Sequence, residues 1–297
     1  MVLDVSEINA ALNQNAAEYI KKCDAAFADR IREIAEFIVK NRKQRPVVLL
    51  SGPSGSGKTT TARMLERMLD EHGCGTHTVS MDNYFLPIPV GVAVDLESPD
   101  RVDGTLLSRQ LADICQSKPV ILPRFNFNDN TRSFSQTQLC RAPDEIVIVE
   151  GIHALNPSVI TLPEESTTRI YVSVRTRMSA QGTLLHPKKI RLLRRMERDK
   201  LFRGRTAADT LKMFESVQRG ENRFIMPYKS RSMFDVDTFV PYGVSAYREQ
   251  LLPQLETLRG GQIDDLIRVV RAVQPLESAL IPPDALIREF IGGSCYE

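Results

Sequence analysis

The sequence lacks several features that would assign a protein to a class at once. It has no apolar run of membrane-spanning length, and its first residues, MVLDVSEINAAL, are acidic and polar, unlike a signal peptide. It has only five cysteines, without a C-x-x-C pair, and four histidines, without the spacing of metal ligands. The net charge of +2, from 39 basic and 37 acidic residues, is too small to indicate a general nucleic-acid-binding protein.

These absences favour a cytoplasmic protein with reduced thiols that acts on small molecules rather than on membranes or nucleic acids. The chain of 297 residues is long enough to bury the core of one large α/β domain with smaller attachments. Because the overall charge is nearly balanced, the function has to be inferred from local motifs.

The clearest motif is a phosphate-binding loop. The aliphatic run VVLL leads into GPSGSGKT, which matches the spacing G-x-x-x-x-G-K-[ST], and apolar residues at helical spacing follow. In such a loop the backbone N–H groups surround the anion, Lys58 reaches the β- and γ-phosphates, and the Thr59 hydroxyl binds Mg²⁺. The pattern therefore predicts a nucleoside triphosphate site formed by Gly52, Ser54, Gly55, Ser56, Gly57, Lys58, Thr59 and Thr60.

Short aliphatic runs alternate with helical stretches along the middle of the chain. We predict strands at residues 47–50, 76–80, 120–122, 146–149 and 170–174. The alternation predicts an α/β protein with the P-loop NTPase fold, a mostly parallel sheet covered by helices on both faces. Residues 125–134 alternate apolar with polar side chains, which indicates a small β-hairpin separate from the parallel sheet.

The two ends of the chain are predicted to be helical. We expect an N-terminal extension over residues 1–45, a P-loop domain over residues 46–260, and a C-terminal tail over residues 261–297. The apolar side of the extension either packs on the core or mediates assembly of a homo-oligomer. The tail, from Gln262 onward, has the pattern of small helices without a chemical role.

Acidic residues end two of the predicted strands, at the sheet edge where open α/β folds bind their ligands. Asp82 ends the strand in HTVSMD, and a carboxylate there can accept the proton of a substrate hydroxyl. Glu150 ends the buried strand IVIVE and fits a group that holds Mg²⁺ directly or through water. The alternative for each is a structural acid at the start of a helix.

A basic helix is predicted after the last strand, with arginines at i, i+3, i+4 and i+7. These residues are Arg191, Arg194, Arg195 and Arg198, and Arg203 and Arg205 follow at a break. Guanidinium groups this dense repel one another unless an anion lies among them, so we interpret residues 185–206 as a lid over the triphosphate. The alternatives are a solvated basic face paired with nearby acids and a nucleic-acid-binding stripe, which the lack of interleaved aromatic residues disfavours.

Taken in order, these motifs resemble the phosphoribulokinase/uridine kinase family of P-loop kinases, and within it the uridine kinase-like nucleoside kinases. The resemblance covers residues 46 to 258 and rests on GPSGSGKTT, SMDNYF, PRFNFNDNTR, IVIVEGIHAL and RLLRRMERDKLFRGR. VQRGENRFIMP and LIREFIGGS resemble a bacterial branch in which a small domain related to one in threonyl-tRNA synthetases often precedes the kinase. We expect that domain to be missing, because only residues 1–45 precede the P-loop domain.

The resemblance implies an ATP- and Mg²⁺-dependent kinase that phosphorylates a primary hydroxyl, and the expected acceptor is the 5′-hydroxyl of a ribonucleoside of the uridine or cytidine type. It implies that Asp82 is the catalytic base, with catalytic contributions from Lys58, Arg195 and Arg198. It implies that Arg194 and Arg205 add to ATP binding and that Thr59 and Glu150 serve the metal. It further implies acceptor contacts from Asp82, Tyr84, Asp100, Phe125, Asn130, Arg132 and Arg198.

The hairpin departs from the family pattern. Phe125 and Asn126 replace the usual tyrosine and aspartate, and Asn130 stands in place of a base-reading histidine. Hydrogen-bonding sites discriminate by the groups that they leave unpaired, so these changes alter which base is accepted. The resemblance therefore does not extend to pyrimidine specificity.

Two other functions are compatible with the motifs. One is a P-loop protein that hydrolyses ATP as a conformational switch and needs no acceptor. A GTPase is disfavoured, because there is no N-K-x-D motif and the one D-x-x-G match, residues 70–73, lies at a helix end. The other is a kinase of the same family that acts on a non-nucleoside alcohol or a sugar phosphate.

Overall fold

The computed structural model describes residues 1–89, 91, 94–127, 129–258, 260–261 and 263–296. Gln262, the first residue of the predicted tail segment, and Asn128, inside the predicted hairpin, lie outside the described residues. None of the helices in the described ranges is both long and apolar enough to span a membrane.

The described chain contains ten strands and eight α-helices. The strands are β1 (Val2–Asp4), β2 (Val47–Ser51), β3 (Thr76–Ser80), β4 (Val120–Asn126), β5 (Thr131–Leu139), β6 (Ile146–Glu150), β7 (Thr167–Ser173), β8 (Arg177–Ala180), β9 (Thr183–Leu185) and β10 (Phe234–Asp237). The helices are α1 (Val5–Asn41), α2 (Lys58–Glu71), α3 (Gly104–Cys115), α4 (Pro187–Arg203), α5 (Ala207–Phe224), α6 (Gly243–Thr257), α7 (Asp264–Ala272) and α8 (Arg288–Ile291).

A five-stranded parallel sheet in the order β10-β7-β2-β6-β3 forms the centre of the molecule. Successive residues of β2 point to opposite faces, as the pleat requires. Val47 and Leu49 join one apolar cluster, and Val48 and Leu50 join another on the other face. Both faces are therefore covered, and the predicted α/β fold is confirmed.

Helices from different parts of the chain cover the two faces. The second half of α1, with Ile31, Ile34 and Ile38, packs with α2 on one face, and α3 packs on the other. Helix α1 is interrupted at Asn15, whose backbone is extended and whose side chain accepts a hydrogen bond from the Glu18 N–H at 3.1 Å. Residues on both sides of the interruption, from Val5 to Ile20, pack in one apolar cluster, and those from Ile31 onward pack in another.

The predicted hairpin is present and is longer than expected. Strands β4 and β5 form a separate two-stranded antiparallel sheet, with a register shift between Ile121 and Pro123. The prediction that residues 120–122 belong to the parallel sheet is therefore wrong, because they open this hairpin. Strand β10 and the small sheet β1-β8-β9 were not predicted from the sequence, because their strands have only three or four residues and too few positions to display a period.

A further apolar cluster joins both ends of the chain to the P-loop domain. It includes Ile8 from α1, Leu193 from α4 and Leu251 from α6. It also includes Ile287 and Phe290 from the tail, both fully buried. The extension and the tail thus pack on the core, whereas the domain boundaries at residues 45 and 260 stay a prediction.

Candidate active site

The parallel register brings the ends of three strands to one edge of the sheet. Glu150, the last residue of β6, lies opposite Leu50 of β2 and Ser80 of β3. The phosphate loop begins directly after β2, and Asp82 follows β3 by two residues. Because the carboxyl ends of parallel strands form the ligand-binding edge of such folds, the loop and both acids lie in the expected place.

Backbone geometry explains the glycines of the phosphate loop. A Cβ atom on Gly52 would lie 2.0 Å from the Val172 carbonyl oxygen, so only glycine fits between the loop and β7. Gly57 has a φ of 86°, in the left-handed region, and is the N-cap of α2 without a side-chain cap. The first N–H groups of α2 are therefore left to bind an anion.

Several side chains of the loop are placed to bind phosphate. The Lys58 Nζ donates to the Pro53 carbonyl oxygen at 3.2 Å, across the loop, and Thr59 is exposed. The Ser56 hydroxyl is buried and has no hydrogen-bond partner within the described ranges. A phosphate oxygen would satisfy this buried hydroxyl, so the cradle fits a polyphosphate.

Asp82 lies in the short turn Met81–Tyr84 that follows β3. Solvent reaches the residue, yet protein atoms surround its carboxylate, and the resulting desolvation raises its pKa above the ordinary value. The positive charges of Lys58, Arg203 and Arg198 oppose this rise in pKa. A carboxylate with a raised pKa that is held among cations is suited to accept a proton near neutral pH.

Glu150 is buried beside Asp82. It is 9% exposed and accepts a hydrogen bond from the Ser80 hydroxyl at 3.0 Å. Burial, together with the negative charges of Asp82 and Glu289, raises its pKa to about 7. The positive charge of Lys58 and the bond from Ser80 act in the opposite direction.

The donor atoms at this edge fit Mg²⁺ bound together with a triphosphate. A carboxylate on Glu150 and a hydroxyl on Thr59 are oxygen ligands of the kind that Mg²⁺ prefers. Among the residues that can be described, no group of three or more His, Cys, Asp or Glu side chains could hold a metal. Magnesium commonly binds through one or two carboxylates, substrate phosphates and water, which matches this sparse set.

The arginine-rich helix α4 is largely part of the core. Ile190, Leu193 and Met196 are buried in the apolar cluster that also holds the tail. Only residues 200–204 at its end are exposed as a continuous stretch. Apolar residues between the arginines bury α4 on several sides, and the lid over residues 185–206 stays a prediction.

The arginines already have anionic partners within the protein. Arg191 forms an ion pair with Glu221, 2.6 Å between Nη2 and Oε2, and donates to the Ser54 carbonyl oxygen at 2.9 Å. The fully buried carboxylate of Asp199 pairs with three further residues at 2.8, 3.4 and 3.8 Å, namely Arg198, Arg203 and Arg205. The density of guanidinium groups is thus explained in part by acids of the chain itself.

Arg194 and Arg195 are adjacent in sequence but differ in placement. Arg194 is 1% exposed, donates to the Thr238 carbonyl oxygen at 2.6 Å, and lies 4.9 Å from the ring centre of Phe290. Its guanidinium group thus contacts the C-terminal tail, and the contact of Arg194 with ATP stays a prediction. Arg195 packs on the phosphate loop, where a Cβ on Gly55 would lie 3.1 Å from its Cγ, and burial lowers its pKa to about 10.

Two predicted acceptor residues are engaged inside the protein. Tyr84 is fully buried, and its hydroxyl donates to the Gln110 side-chain oxygen at 2.7 Å. The Asn130 amide accepts from the Ile88 N–H at 3.0 Å and donates to the Ile88 carbonyl oxygen at 2.8 Å. Both side chains bond to other parts of the fold, and their contact with the acceptor stays a prediction.

The remaining predicted acceptor residues lie at the surface or pack on neighbours. Asp100 is exposed and accepts a hydrogen bond from the Ser98 hydroxyl at 3.1 Å, within its own turn. Arg132 forms an ion pair with Asp103 at 2.9 Å. Neither side chain is brought to the phosphate loop by an interaction of the described residues.

Phe125 belongs to an aromatic cluster with Phe85 and Phe127. The three rings pack edge to face, with centres 4.9 to 6.1 Å apart, and Phe127 is 62% exposed. The Phe125 N–H donates to the Asn83 side-chain oxygen at 3.3 Å, which ties the hairpin to the residue after Asp82. The hairpin thus presents an apolar wall next to the predicted catalytic base.

Glu97 is a candidate site residue that the sequence analysis missed. It is 9% exposed, and its Oε2 has no hydrogen-bond partner in the described part of the chain. Burial and the negative charge of Glu221 raise its pKa to about 7, against the positive charges of Arg195 and Lys58. A Cβ on Gly220 would lie 2.3 Å from the Glu97 Cβ, so α5 needs a glycine to let Glu97 approach. The available signal was a second acid in the motif E-S-P-D.

These elements define a P-loop phosphotransferase: a phosphate cradle at the centre of a parallel sheet, with two acids, Asp82 and Glu150, at the same edge. The model of the phosphoribulokinase/uridine kinase family matches residues 47–240, and the chain belongs to this family. The predicted relationship to uridine kinase-like enzymes is confirmed, and the protein is a kinase.

Similar proteins agree with this assignment. A uridine kinase of Lactobacillus helveticus is 30% identical over 208 residues, which cover 67% of this chain and 88% of that protein. A uridine kinase of Borrelia hermsii is 29% identical over 202 residues, which cover 66% of this chain and 86% of that protein. A solved structure of a provisionally named fructose transport system kinase from Silicibacter sp. TM1040 has the same fold, with a TM-score of 0.56 at 19% identity over 69% of this chain and 98% of that one.

Proposed function

We propose that the protein transfers the γ-phosphoryl group of ATP to the primary hydroxyl of a small polar molecule, with the 5′-hydroxyl of a ribonucleoside as the preferred acceptor. The observation that carries the proposal is the carboxylate of Asp82 beside Lys58, a proton acceptor at the phosphate loop. The uridine kinase names of several relatives support a nucleoside acceptor.

The donor is held mainly by backbone and fixed charge. The N–H groups at the start of α2 and the Lys58 ammonium bind the β- and γ-phosphates. Arg195 packs against the phosphate loop at Gly55, and the charge of Arg198 acts on Asp82, which supports a role for their guanidinium groups in stabilising charge on the transferring group. Magnesium, when bound with ATP near Thr59 and Glu150, neutralises part of the phosphate charge.

The acceptor is activated by Asp82. Its carboxylate takes the proton of the hydroxyl as that oxygen forms a bond to the γ-phosphorus, and the bond from phosphorus to the β-phosphate oxygen breaks to release ADP. Desolvation raises the pKa of Asp82 and makes its carboxylate a stronger base, and the positive charge of Lys58 acts in the opposite direction by favouring the ionised form. Most of the rate enhancement arises from holding the two reactants in line.

Acceptor recognition is assigned to Glu97 rather than to Asp100. The unpaired Oε2 of Glu97 is positioned to accept a hydrogen bond from a second hydroxyl of the acceptor, such as a ribose hydroxyl. Asp100 is exposed and bonded within its own turn. The phenylalanine wall of the hairpin offers a flat apolar surface to a base, with few groups that would distinguish one base from another.

The test is ADP release from ATP and Mg²⁺, first without an acceptor and then with uridine, cytidine, adenosine, guanosine, inosine and several non-nucleoside alcohols. We expect release to require a nucleoside and to fall by about 10²–10⁴-fold in Asp82→Asn, which removes the base. ATP binding should be nearly unchanged in this variant, because Asp82 does not form the phosphate cradle.

Other outcomes separate the alternatives. Release without any acceptor indicates an ATP-hydrolysing switch, and release only with a sugar phosphate or another alcohol indicates a kinase with a different acceptor. An Asp82→Asn protein with full activity removes Asp82 from the mechanism.

A further inference from the structure

The C-terminal tail places a carboxylate on the phosphate cradle. In α8, the Oε2 of Glu289 accepts hydrogen bonds from the backbone N–H of Thr60 at 3.1 Å and from its hydroxyl at 2.8 Å. Thr60 is the third residue of α2, the helix that begins at the phosphate loop. Residues 281–290 lie beyond residues 47–240, which the family model matches.

The N–H group of Thr60 is one of the donors that a nucleotide would use. The first N–H groups of a helix have no partner within the helix, and in a P-loop they bind the α- and β-phosphates. The next one, that of Thr61, is already bonded to the Gly57 carbonyl oxygen at 3.0 Å. Glu289 therefore puts a negative oxygen on the last free donor of the cradle.

The backbone around Glu289 is firmly held. Ile287 and Phe290 are fully buried, and the Phe290 ring lies under the guanidinium group of Arg194. Leu286 contacts the loop itself, where a Cβ on Gly57 would lie 3.2 Å from its Cδ2. The tail thus remains in place while the Glu289 side chain, which is partly exposed, is able to rotate away from Thr60.

We infer that Glu289 is a residue of the donor site that competes with the nucleotide for Thr60 and thereby lowers the affinity for ATP and ADP. This inference rests on the proposed function of the cradle. When a nucleotide binds, a phosphate oxygen replaces the Glu289 carboxylate on Thr60, and the displaced negative charge remains close to the phosphates. Binding is therefore weaker than the same cradle would allow without a tail carboxylate.

The experiment compares nucleotide dissociation constants, measured by calorimetric titration of ATP and ADP, in the wild-type protein, Glu289→Gln and Glu277→Gln. Glu277 is an exposed residue of the same tail and serves as the matched control. We expect Glu289→Gln to bind both nucleotides about tenfold more tightly, because the charge is removed while an oxygen acceptor is kept. Glu277→Gln should bind like the wild type.

Thermal unfolding without nucleotide separates this role from a purely structural one. An acid at the start of a helix stabilises it, so Glu289→Gln should lower the melting temperature while it tightens binding. A structural cap alone would lower the melting temperature without tighter binding, and that result, or weaker binding, overturns the inference. In Glu289→Asp the carboxylate is one methylene farther from Thr60, so its affinity for nucleotides should lie between those of the wild type and Glu289→Gln. This variant replaces Glu289→Gln in the test if Glu289→Gln does not fold.

The proposed function can fail separately. If no variant binds ATP or ADP, both the donor site and the inference are overturned. If the wild type binds ATP and phosphorylates an acceptor while Glu289→Gln has the same affinity, only the inference is overturned.

Discussion

The two sides of the cleft are built from different parts of the polypeptide. The donor side consists mainly of backbone: a glycine loop between a central strand and a helix, anchored where Gly52 touches the Val172 carbonyl oxygen. The proposed acceptor side consists of side chains on a two-stranded hairpin and on the loop that carries Glu97. The donor side lies on a buried parallel sheet, whereas the hairpin is exposed along much of its length.

This difference determines how each side tolerates change. A backbone cradle binds any polyphosphate through the same N–H groups, so its sequence is constrained by geometry. Where side chains contact the acceptor, each substitution changes which acceptor binds best, because every buried polar group that is left without a hydrogen-bond partner weakens binding. We therefore expect substitutions on the donor side to abolish function and those on the acceptor side to redirect it.

The largest effect is expected for Gly52→Ala. Its Cβ would meet a backbone carbonyl oxygen at 2.0 Å, so either the loop or β7 must move. We expect ATP binding to weaken by at least about 100-fold, because displaced N–H groups no longer converge on the phosphates. Calorimetric titration of ATP measures the change.

Gly261→Ala provides the control for added bulk. Among the described residues, a Cβ there would meet only the Asp264 carboxylate, at 3.7 Å, which is ordinary van der Waals contact. Wild-type ATP affinity in Gly261→Ala, together with lost affinity in a folded Gly52→Ala, would show that backbone geometry constrains the donor side. Normal ATP affinity in Gly52→Ala would contradict this expectation.

The donor side was the part that the sequence could predict. The phosphate loop is contiguous, and an acid at the end of a buried strand must lie at the ligand edge of a parallel sheet. Asp82 and Glu150 follow from that rule, and the register confirms the placement of Glu150 opposite Ser80. The partners of Arg194 could not be predicted, because they come from Thr238 and Phe290, far along the chain.

An intermediate effect is expected for Glu97→Gln on the acceptor side. Loss of the carboxylate should raise the KM for the acceptor by about tenfold, since hydrogen bonds to charged groups contribute about 1.5–3 kcal/mol, with a smaller change in the KM for ATP. Asp100→Asn, in the same motif, is the matched variant and should leave both constants unchanged. If both substitutions raise the acceptor KM equally, or if only Asp100→Asn raises it, the result supports Asp100 as the acceptor-binding residue, as the sequence predicts.

The stability of Glu97→Gln shows whether a change in KM reflects damage to the fold. Burial raises the pKa of Glu97 from 4.5 to about 7, so the folded state binds the proton more tightly than the unfolded state. Stability from this group is therefore present below pH 4.5 and is lost as the pH rises through 7. Glu97→Gln should melt at a higher temperature than the wild type at pH 8, and the difference should shrink towards pH 5.

The hydrogen-bond partners on the acceptor side could not be predicted from the sequence, because each polar side chain there can bond to several neighbouring parts of the protein. The sequence identified the right segments, yet within E-S-P-D it selected Asp100, although Glu97 is the buried acid. Tyr84 and Asn130 are polar residues in a matching motif, but Gln110 and Ile88 are their partners. Such pairings depend on which loops approach one another, and no sequence spacing encodes that approach.

The smallest effect is expected for Asn130→Gly, which tests whether the hairpin reads a base at this position. Asn130 has a φ of 56°, so glycine removes the amide without straining the backbone. Since both ends of that amide bind Ile88, its loss should loosen the loop and raise the acceptor KM a few-fold for uridine, cytidine, adenosine and guanosine alike. Steady-state kinetics with these four nucleosides measure the preference, and Ser133→Gly, at an exposed position of the same hairpin, controls for added flexibility. A change in the order of preference would mean that Asn130 turns towards the base when substrate binds, and the acceptor side would then discriminate by hydrogen bonding as well as by its apolar wall.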